Sequence, residues 1–470
     1  MASSFQRLQH HYRRLRQAKV FSPYFPVSPA QFSWFYGWVI VAVATIGILM
    51  SIPGQTAGVS VFTDHLIEAT GLSRLSLSNA YLVGTLTSGL LLPYGGRLLD
   101  RLGSRFTVVL SSLWLAGTLV YLSFSDRLLN LISSGLPGLM AQQIALPLLI
   151  LGFFSLRFSG QGMLTLTSRT TLGKWFDRRR GFVSGLSGVF VSFGFAAAPL
   201  IFSLWIGLLD WRGAWLSMAL LVGVGMALLG WLFFRDNPEV CGLRMDGDGS
   251  REATLEVDSI GSSQKSALES RALLPPSTDF TRAQAVTTLA FWSTTLALSS
   301  QALIITGITF HIVDIGAAVE LSETKTVALF LPMAILSTGV GYAIGVVSDR
   351  IPLKRLYLLM MGVQAVGILC MGRLDLVGAR VLVIAGFGIS GGCFSTLSAV
   401  TLPRFFGRTH LGAIAGVQMM SMVIASALGP SFLALFQAQF GSYQTGLYLC
   451  AVFPVMIFLL LLPTQNPQNS

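Results

Sequence analysis

Two polar residues lie inside a long apolar segment, where their side chains could bind a charged molecule. They are Arg157 and Gln161, within the predicted helix 143–170. Counting back 16 residues from Gly173 at ~1.5 Å per residue places Arg157 about 24 Å from that end of the helix. An ionised side chain at that depth in a membrane is costly and must face protein or water. The pattern predicts an arginine that binds an anion or takes part in proton coupling, with Gln161 on the same face. A structural arginine tied to backbone carbonyls is the alternative.

Four further polar residues lie in predicted helices. His311 and Asp314 are three residues apart, on one helix face and near its outer end. A histidine beside a carboxylate could carry a coupling proton, although a solvated helix end has the same pattern. Gln55 and Gln301 lie in helices related by an internal repeat, and each could hydrogen-bond a substrate or bridge two helices.

The composition is that of a membrane protein. Of 470 residues, 53% are hydrophobic and 11% are charged, whereas a soluble domain carries roughly 25% charged residues. Allowing ~20 residues for each crossing, the apolar stretches predict helices near 36–57, 77–98, 106–125, 143–170, 182–207, 212–234, 284–312, 324–347, 356–373, 379–403, 411–436 and 443–463. The polar composition of 236–283 is typical of a flexible cytoplasmic linker. The predicted organisation is a basic tail (1–35), a first bundle (36–235), this linker (236–283), a second bundle (284–463) and a short C-terminal tail (464–470).

The two halves of the chain repeat each other in sequence. At an offset of 249, Gly96 aligns with Gly345 and Asp100-Arg101 with Asp349-Arg350; at an offset of 230, Ser168 aligns with Ser398, Lys174 with Arg404 and Arg178 with Arg408. A duplicated six-helix unit is the architecture of a large class of transporters, with the substrate site between the halves at mid-membrane depth.

The net charge is +11, and the basic residues behind it are not spread evenly along the chain. Basic residues cluster in every second loop, as the positive-inside rule describes for cytoplasmic loops. The pattern predicts that both termini are cytoplasmic, and it indicates topology rather than nucleic-acid binding. The Arg-rich first 34 residues fit a cytoplasmic tail or a transit peptide. The four cysteines are isolated and predict neither a metal site nor a disulfide, and no cofactor is expected.

The loop after the second predicted helix carries a charged motif. It reads YGGRLLDRLGSRF, and the loop after the eighth helix carries a degenerate copy, GVVSDRIPLKR. This resembles the signature G-x-x-x-D-R-x-G-R-R of the major facilitator superfamily. The resemblance implies an all-α membrane protein of 12 transmembrane helices in two pseudo-symmetric six-helix bundles. It also implies that these loops latch the cytoplasmic ends of the bundles, with conformational residues Gly96, Asp100, Arg101, Arg105, Asp349 and Arg350.

The fourth predicted helix resembles a second motif of that superfamily, R-x-x-Q-G, through Arg157, Gln161 and Gly162, with Gly160 inserted. The stretches WFYGWVIV, KWFDRRRGFVSG and FRDNPEVCGLRMDG resemble bacterial relatives of the oxalate/formate antiporter and monocarboxylate porter families. This narrower resemblance implies a small carboxylate substrate, moved with protons or exchanged for a counter-anion, across a bacterial inner membrane. Apart from Lys325 at the edge of the eighth helix, helices 8 and 11 lack the basic residue that such porters often keep.

These observations predict a secondary active transporter and no enzyme, since the sequence contains no Walker loop. The predicted substrate is a small organic anion, bound by Arg157 between the halves of a monomer in a lipid bilayer. The alternative is proton-coupled efflux of drug-like amphipathic compounds. Acidic residues buried in helices 4 and 5 would favour that alternative, but the only acid between Gln143 and Ile206 is Asp177, in a loop.

Overall fold

The computed structural model describes residues 22–135, 141–247, 278–322, 325–326 and 328–469, and these ranges contain helices and turns but no β-strand. The long helices are α1 (Gly37–Met50), α2 (Arg74–Leu102), α3 (Ser104–Ser123), α4 (141–175), α5 (180–209), α6 (211–233), α7 (Leu289–Ala317), α8 (Phe330–Ser348), α9 (Leu353–Met371), α10 (Val377–Phe406), α11 (Leu411–Phe440) and α12 (Tyr443–Leu461). Short helices at Thr63–Thr70 and Ser125–Gly135 follow α1 and α3, and Arg282–Val286 precedes α7.

Ten stretches of the described residues are long and apolar enough to cross a membrane. One of them, Arg180–Phe233, has 54 residues and breaks at Asp210, whose φ of 58° is not helical, so it supplies two crossings. α2 adds a further crossing of 29 residues, with more polar side chains than the others. The predicted set of twelve membrane helices is therefore present in the described part of the chain.

The helices form two bundles, α1–α6 and α7–α12, each with its own apolar core. Two helix pairs join the bundles, α2 with α11 and α5 with α8. The sequence repeat relates α2 to α8 and α5 to α11, so the two pairs are equivalent. This confirms the predicted architecture of two pseudo-symmetric six-helix bundles.

α1 differs from the unbroken helix predicted at 36–57. It ends at Met50, and the chain continues as a 3₁₀ turn at Ile52–Gly54 and a short helix at Thr56–Ser60. Pro53 has no amide hydrogen to donate to the preceding turn, and this interrupts the helix. The break places backbone carbonyls, including that of Gly54, beside α4.

The loops α2–α3, α4–α5, α8–α9 and α10–α11 lie at one end of the molecule, where the second bundle contacts the first. This end is named the basic face here, because Arg101 lies in the last turn of α2 and the loops carry Arg178, Arg350 and Arg408. The N-terminal segment from residue 22 and the segment 462–469 lie at the same end.

The described parts of the predicted tail and linker pack against the basic face. Arg235 donates from Nε to the carbonyl of Pro23 at 2.7 Å and from Nη2 to that of Val27 at 2.8 Å. Asp236 accepts a hydrogen bond from the N–H of Ser104, at the start of α3, at 2.7 Å. Residues 236–247 are thereby attached to the first bundle. Residues 1–21 and 248–277, which include much of the predicted tail and linker, lie outside the described residues.

Candidate functional site

α4 changes from α-helix to π-helix over Arg157–Leu164 and returns to α-helix at Thr165. A π turn is wider than an α turn, and such turns occur frequently at functional sites. Here it accommodates Gly160, the residue inserted into the R-x-x-Q-G motif. A Cβ atom on Gly160 would lie 2.9 Å from the Cα of Gly54, so the π-helix packs backbone to backbone against the break in α1.

Arg157 is 2% exposed and is held by the broken end of α1. Its Nη1 donates to the carbonyl of Gly54 at 3.2 Å and to Oγ1 of Thr56 at 3.4 Å. The guanidinium also lies 5.4 Å from the ring centre of Tyr81. Among the described residues, Nε has no hydrogen-bond partner and no carboxylate pairs with the guanidinium. These neutral groups orient the positive charge but do not neutralise it.

Gln55 and Gln161 also lie at the contact between α1 and α4. The Nε2 of Gln55 donates to Oγ of Ser51 at 3.2 Å and reaches Oγ1 of Thr165 at 3.5 Å, so this side chain bridges the two helices. Gln161 is partly buried, and its backbone nitrogen lies beside Gly54. The structure thus brings three of the four predicted binding residues, Arg157, Gln161 and Gln55, to one region.

Gln301, the fourth of these residues, lies in α7 of the other bundle. It is 3% exposed, and its Oε1 has no hydrogen-bond partner within the described part of the chain. A buried amide oxygen without a partner is unfavourable by about 1–3 kcal/mol, so this oxygen is available to a hydrogen-bond donor.

Arg169 is a second arginine of α4, which the sequence analysis did not select. It lies one residue from the predicted end of the helix at 170, whereas α4 continues to Trp175, and Arg169 is half-buried. Its Nη1 donates to Oγ of Ser398 in α10 at 2.9 Å, across the boundary between the bundles. The signal in the sequence was the run TSRTTLG, in which a charged residue interrupts small uncharged ones.

His311 and Asp314 are joined by a residue that the sequence analysis missed, Tyr443 at the start of α12. The Nε2 of His311 lies 3.0 Å from the carbonyl of Pro430, an acceptor only, so Nε2 must carry a hydrogen. The Oη of Tyr443 lies 3.2 Å from Nδ1 of His311 and 3.3 Å from Oδ2 of Asp314. His311 is 9% exposed, whereas the side chain of Asp314 is 64% exposed.

Asp100, predicted as a latch residue, joins the two bundles at the basic face. Its carboxylate accepts hydrogen bonds from the N–H groups of Gly412 at 2.9 Å and Ala413 at 2.7 Å, at the start of α11. Lys174 lies 3.6 Å from the same carboxylate. A carboxylate at a helix N-terminus is favoured by the helix dipole and by the free N–H groups of the first turn. One turn away, a Cβ on Gly96 would lie 1.9 Å from the carbonyl oxygen of Gly412.

Asp349 makes the equivalent contact in the opposite direction. It accepts hydrogen bonds from the N–H groups of Gly181 at 3.0 Å and Phe182 at 3.1 Å, at the start of α5, and it pairs with Arg404. Arg404 and Lys174 are themselves equivalent residues of the repeat. The repeat seen in the sequence is therefore a repeat of contacts, in which each half caps a helix of the other.

The three predicted latch arginines lie near these contacts. Arg101 and Arg350 are exposed at the basic face. Arg105 is 5% exposed and donates to the carbonyls of Trp231 at 2.6 Å and Phe25 at 2.8 Å. α3 directs Arg105 into the first bundle, where it holds the N-terminal segment, and its part in the latch stays a prediction.

Two aspartates within the predicted linker (236–283) hold the equivalent loops α4–α5 and α10–α11. Asp246 accepts a hydrogen bond from the N–H of Arg178 at 2.8 Å, and Asp279 accepts one from the N–H of Arg408 at 2.7 Å. Burial raises the pKa of Asp279, but the hydrogen bonds from Thr409 and Arg408 outweigh burial and hold that pKa below its ordinary value. Sequence alone could not select these residues, because their sites form only when the loops are folded.

The comparison with known families agrees with this architecture. The profile of the Major Facilitator Superfamily matches residues 43–430 and 345–470. The chain belongs to the major facilitator superfamily. Members of this superfamily are transport proteins, so the chain is a multi-pass membrane transporter and not an enzyme.

Two relatives within the superfamily are mouse proteins. Monocarboxylate transporter 11 is 24% identical over 454 residues, which cover 91% of this chain and 87% of that protein. Monocarboxylate transporter 10 is 26% identical over 305 residues, which cover 63% of this chain and 56% of that protein. The chain therefore matches only about half of the length of the second relative.

Solved structures of other superfamily members share the fold at low sequence identity. The proton:xylose symporter XylE bound to 6-bromo-6-deoxy-D-glucose has a TM-score of 0.62 at 14% identity, over 90% of this chain and 94% of that chain. The human organic anion transporter MFSD10 has a TM-score of 0.56 at 17% identity, over 90% of this chain and 99% of that chain. Both likenesses establish the fold alone.

Proposed function

We propose that this transporter moves a small organic anion, a carboxylate, across the membrane by alternating access. The observation that carries the proposal is Arg157, a buried guanidinium without a carboxylate partner among the described residues. Leaving one charge of a pair buried and uncompensated is unfavourable by roughly 3–5 kcal/mol. A substrate carboxylate that approaches Arg157 would remove this penalty, and an uncharged substrate would not.

The contacts of Arg157 also suit the structural role that is its alternative. The carbonyl of Gly54 and the hydroxyl oxygen of Thr56 accept hydrogen bonds from Nη1 of Arg157, and these contacts fix the position of the guanidinium. In our proposal these contacts orient the arginine while its charge attracts the anion. The two mouse relatives, both named monocarboxylate transporters, support a carboxylate as the substrate class.

Orientation follows from the positions of the basic loops. We assign the basic face to the cytoplasm, since positively charged loops are retained there, and the closed contacts at that face then make this an outward-facing conformation. In a cysteine-free background, Arg244→Cys should resist a membrane-impermeant maleimide added to intact cells, whereas Asp375→Cys, in the α9–α10 loop, should react. If Arg244→Cys reacted and Asp375→Cys did not, the basic face would instead be on the outside of the cell.

We assign proton coupling to the group formed by His311, Tyr443 and Asp314. When the histidine is neutral, its Nδ1 and the carboxylate of Asp314 compete for the one hydrogen of the Tyr443 hydroxyl. Adding a proton to Nδ1 satisfies every member, because Nδ1 then donates to Tyr443 and Tyr443 donates to Asp314. The group therefore has a place for one more proton, with the exposed Asp314 facing solvent and His311 buried.

An uptake assay tests the proposed substrate class. Purified protein in liposomes should accumulate at least one labelled carboxylate from a panel of formate, acetate, lactate, pyruvate and oxalate, and an inward proton gradient should increase uptake. Arg157→Gln should abolish that uptake, while Arg373→Gln, an exposed loop arginine, should retain it. Transport of drug-like amphipathic compounds, with no carboxylate transported, would instead establish the efflux alternative.

A further inference from the structure

A small cavity of about 50 Å³ lies between the two bundles, close to the basic face. Its walls come from α4, α10 and α11, and so from both halves of the chain. The polar groups on its walls include Arg169, Thr170, Ser398 and Gln418. A cavity of this size has room for a few water molecules, or for one carboxylate group.

The donors at this cavity exceed the acceptors. Arg169 uses Nη1 to bind Ser398, and within the described residues no carboxylate pairs with its guanidinium. Gln418 is 4% exposed, and its Nε2 has no hydrogen-bond partner in the described part of the chain. A guanidinium and an unpaired amide N–H at one cavity are the groups that recognise an anion.

The repeat gives no counter-charge to this site. Ser398 is equivalent to Ser168, so the residue equivalent to Arg169 is Ala399. The positive charge therefore belongs to the first half alone, and the second half contributes only the Ser398 hydroxyl and the Gln418 amide. When the bundles separate at the basic face, Arg169 must lose Ser398, because the two residues lie on different bundles.

The position of this cavity differs from that of Arg157. The two arginines are 12 residues apart on α4, which is roughly 18 Å along a helix. This separation is too large for one small carboxylate to touch both side chains. Arg169 is also nearer to the basic face, behind the contacts that close it.

We propose that Arg169 and Gln418 form a second anion site, at which the carboxylate of the transported substrate replaces Ser398 as the partner of Arg169 when the basic face opens. The substrate would bind Arg157 from one side of the membrane and leave past Arg169 on the other. This inference rests on the proposed function, and it adds a residue that determines affinity on the cytoplasmic side only.

A cysteine protection experiment tests the second site. Ala415→Cys, which lines the cavity, is placed in the full-length chain without its four native cysteines and labelled with an impermeant maleimide in everted vesicles. Sodium acetate, lactate and oxalate are compared with sodium chloride as protecting anions. At least one carboxylate should slow labelling, and Arg169→Gln should raise the half-protecting concentration about tenfold, as expected for the loss of a charge-assisted hydrogen bond.

Arg350→Gln is the matched control, since it removes an exposed positive charge at the same face but outside the cavity, so protection should persist. Equal protection by a carboxylate in the protein that retains Arg169 and in the Arg169→Gln variant would overturn the second site. Protection by chloride as strong as that by any carboxylate would also overturn it. Failure of every carboxylate in the uptake assay would instead overturn the proposed substrate class. Carboxylate uptake that depends on Arg157, with unchanged protection in Arg169→Gln, would reject the second site alone.

Discussion

Charged side chains at the basic face and charged side chains inside α4 have opposite surroundings. Asp100 and Asp349 each accept two backbone N–H groups of the opposite bundle and each has a basic partner. Within the described part of the chain, the guanidinium groups of Arg157 and Arg169 contact neutral oxygens and an aromatic ring, and no carboxylate pairs with them. Because Asp100 and Asp349 find all these partners within the protein, they can hold the two bundles together. In our proposal, the partner of the arginines in α4 is an anionic ligand.

Breaking the closed contact at the basic face should have the largest effect. Gly96→Leu would place a side chain where a Cβ alone is 1.9 Å from the carbonyl of Gly412, so α2 and α11 could not approach. We expect transport to fall to background while the protein still inserts. Gly117→Leu is the control, because a Cβ at Gly117 meets nothing within 4 Å. More than half of wild-type transport in Gly96→Leu would contradict this account of the contact.

Removing one carboxylate of the predicted latch should have an intermediate effect. Hydrogen bonds to a charged group contribute roughly 1.5–3 kcal/mol, and each ~1.4 kcal/mol is a tenfold change in an equilibrium. Asp100→Asn and Asp349→Asn should each lower turnover about tenfold and favour the inward-facing state, measured by labelling of Ala415→Cys. Arg350→Gln, at an exposed site, should change turnover less than twofold. Wild-type turnover in both aspartate variants would count against the latch.

Changing the proton group should have the smallest effect on transport at a fixed pH. His311→Gln removes the group that would take up the proton, so uptake should lose its response to an inward proton gradient while exchange without a gradient falls only about twofold. Tyr443→Phe should weaken the same response, because it breaks the connection to Asp314. His65→Gln, on the short helix Thr63–Thr70, should respond like wild type. A full gradient response in His311→Gln would remove this residue from coupling.

The fold was predictable because its signals are local or repeated. Long apolar runs gave the helices, and the paired Asp-Arg motifs correctly indicated that Asp100 and Asp349 are equivalent. The break at Pro53 and the π-helix after Arg157 were not predicted, since both depend on how α1 packs against α4. Arg169 lay inside a predicted helix, but its importance depends on Ser398 and Gln418, which are more than two hundred residues away in sequence.

The contacts of Arg105 could not be predicted from the sequence. The motif supplies a basic residue at this position, but its side chain meets carbonyls of the N-terminal segment that no motif describes. Tyr443 was missed for a similar reason, since it begins a helix 129 residues after Asp314. Residues that recur in both halves could be predicted, and residues whose partners are distant and unique could not.

The most direct test of the central claim is substrate binding to purified Arg157 variants. The ligands are the carboxylate with the highest uptake in the panel and its uncharged amide. Arg157→Gln should weaken carboxylate binding about tenfold to a hundredfold, following the loss of a charge-assisted hydrogen bond, and Arg157→Lys should fall between this variant and wild type. Amide binding should be unchanged in each variant. Carboxylate affinity in folded Arg157→Gln equal to that of wild type would contradict the account.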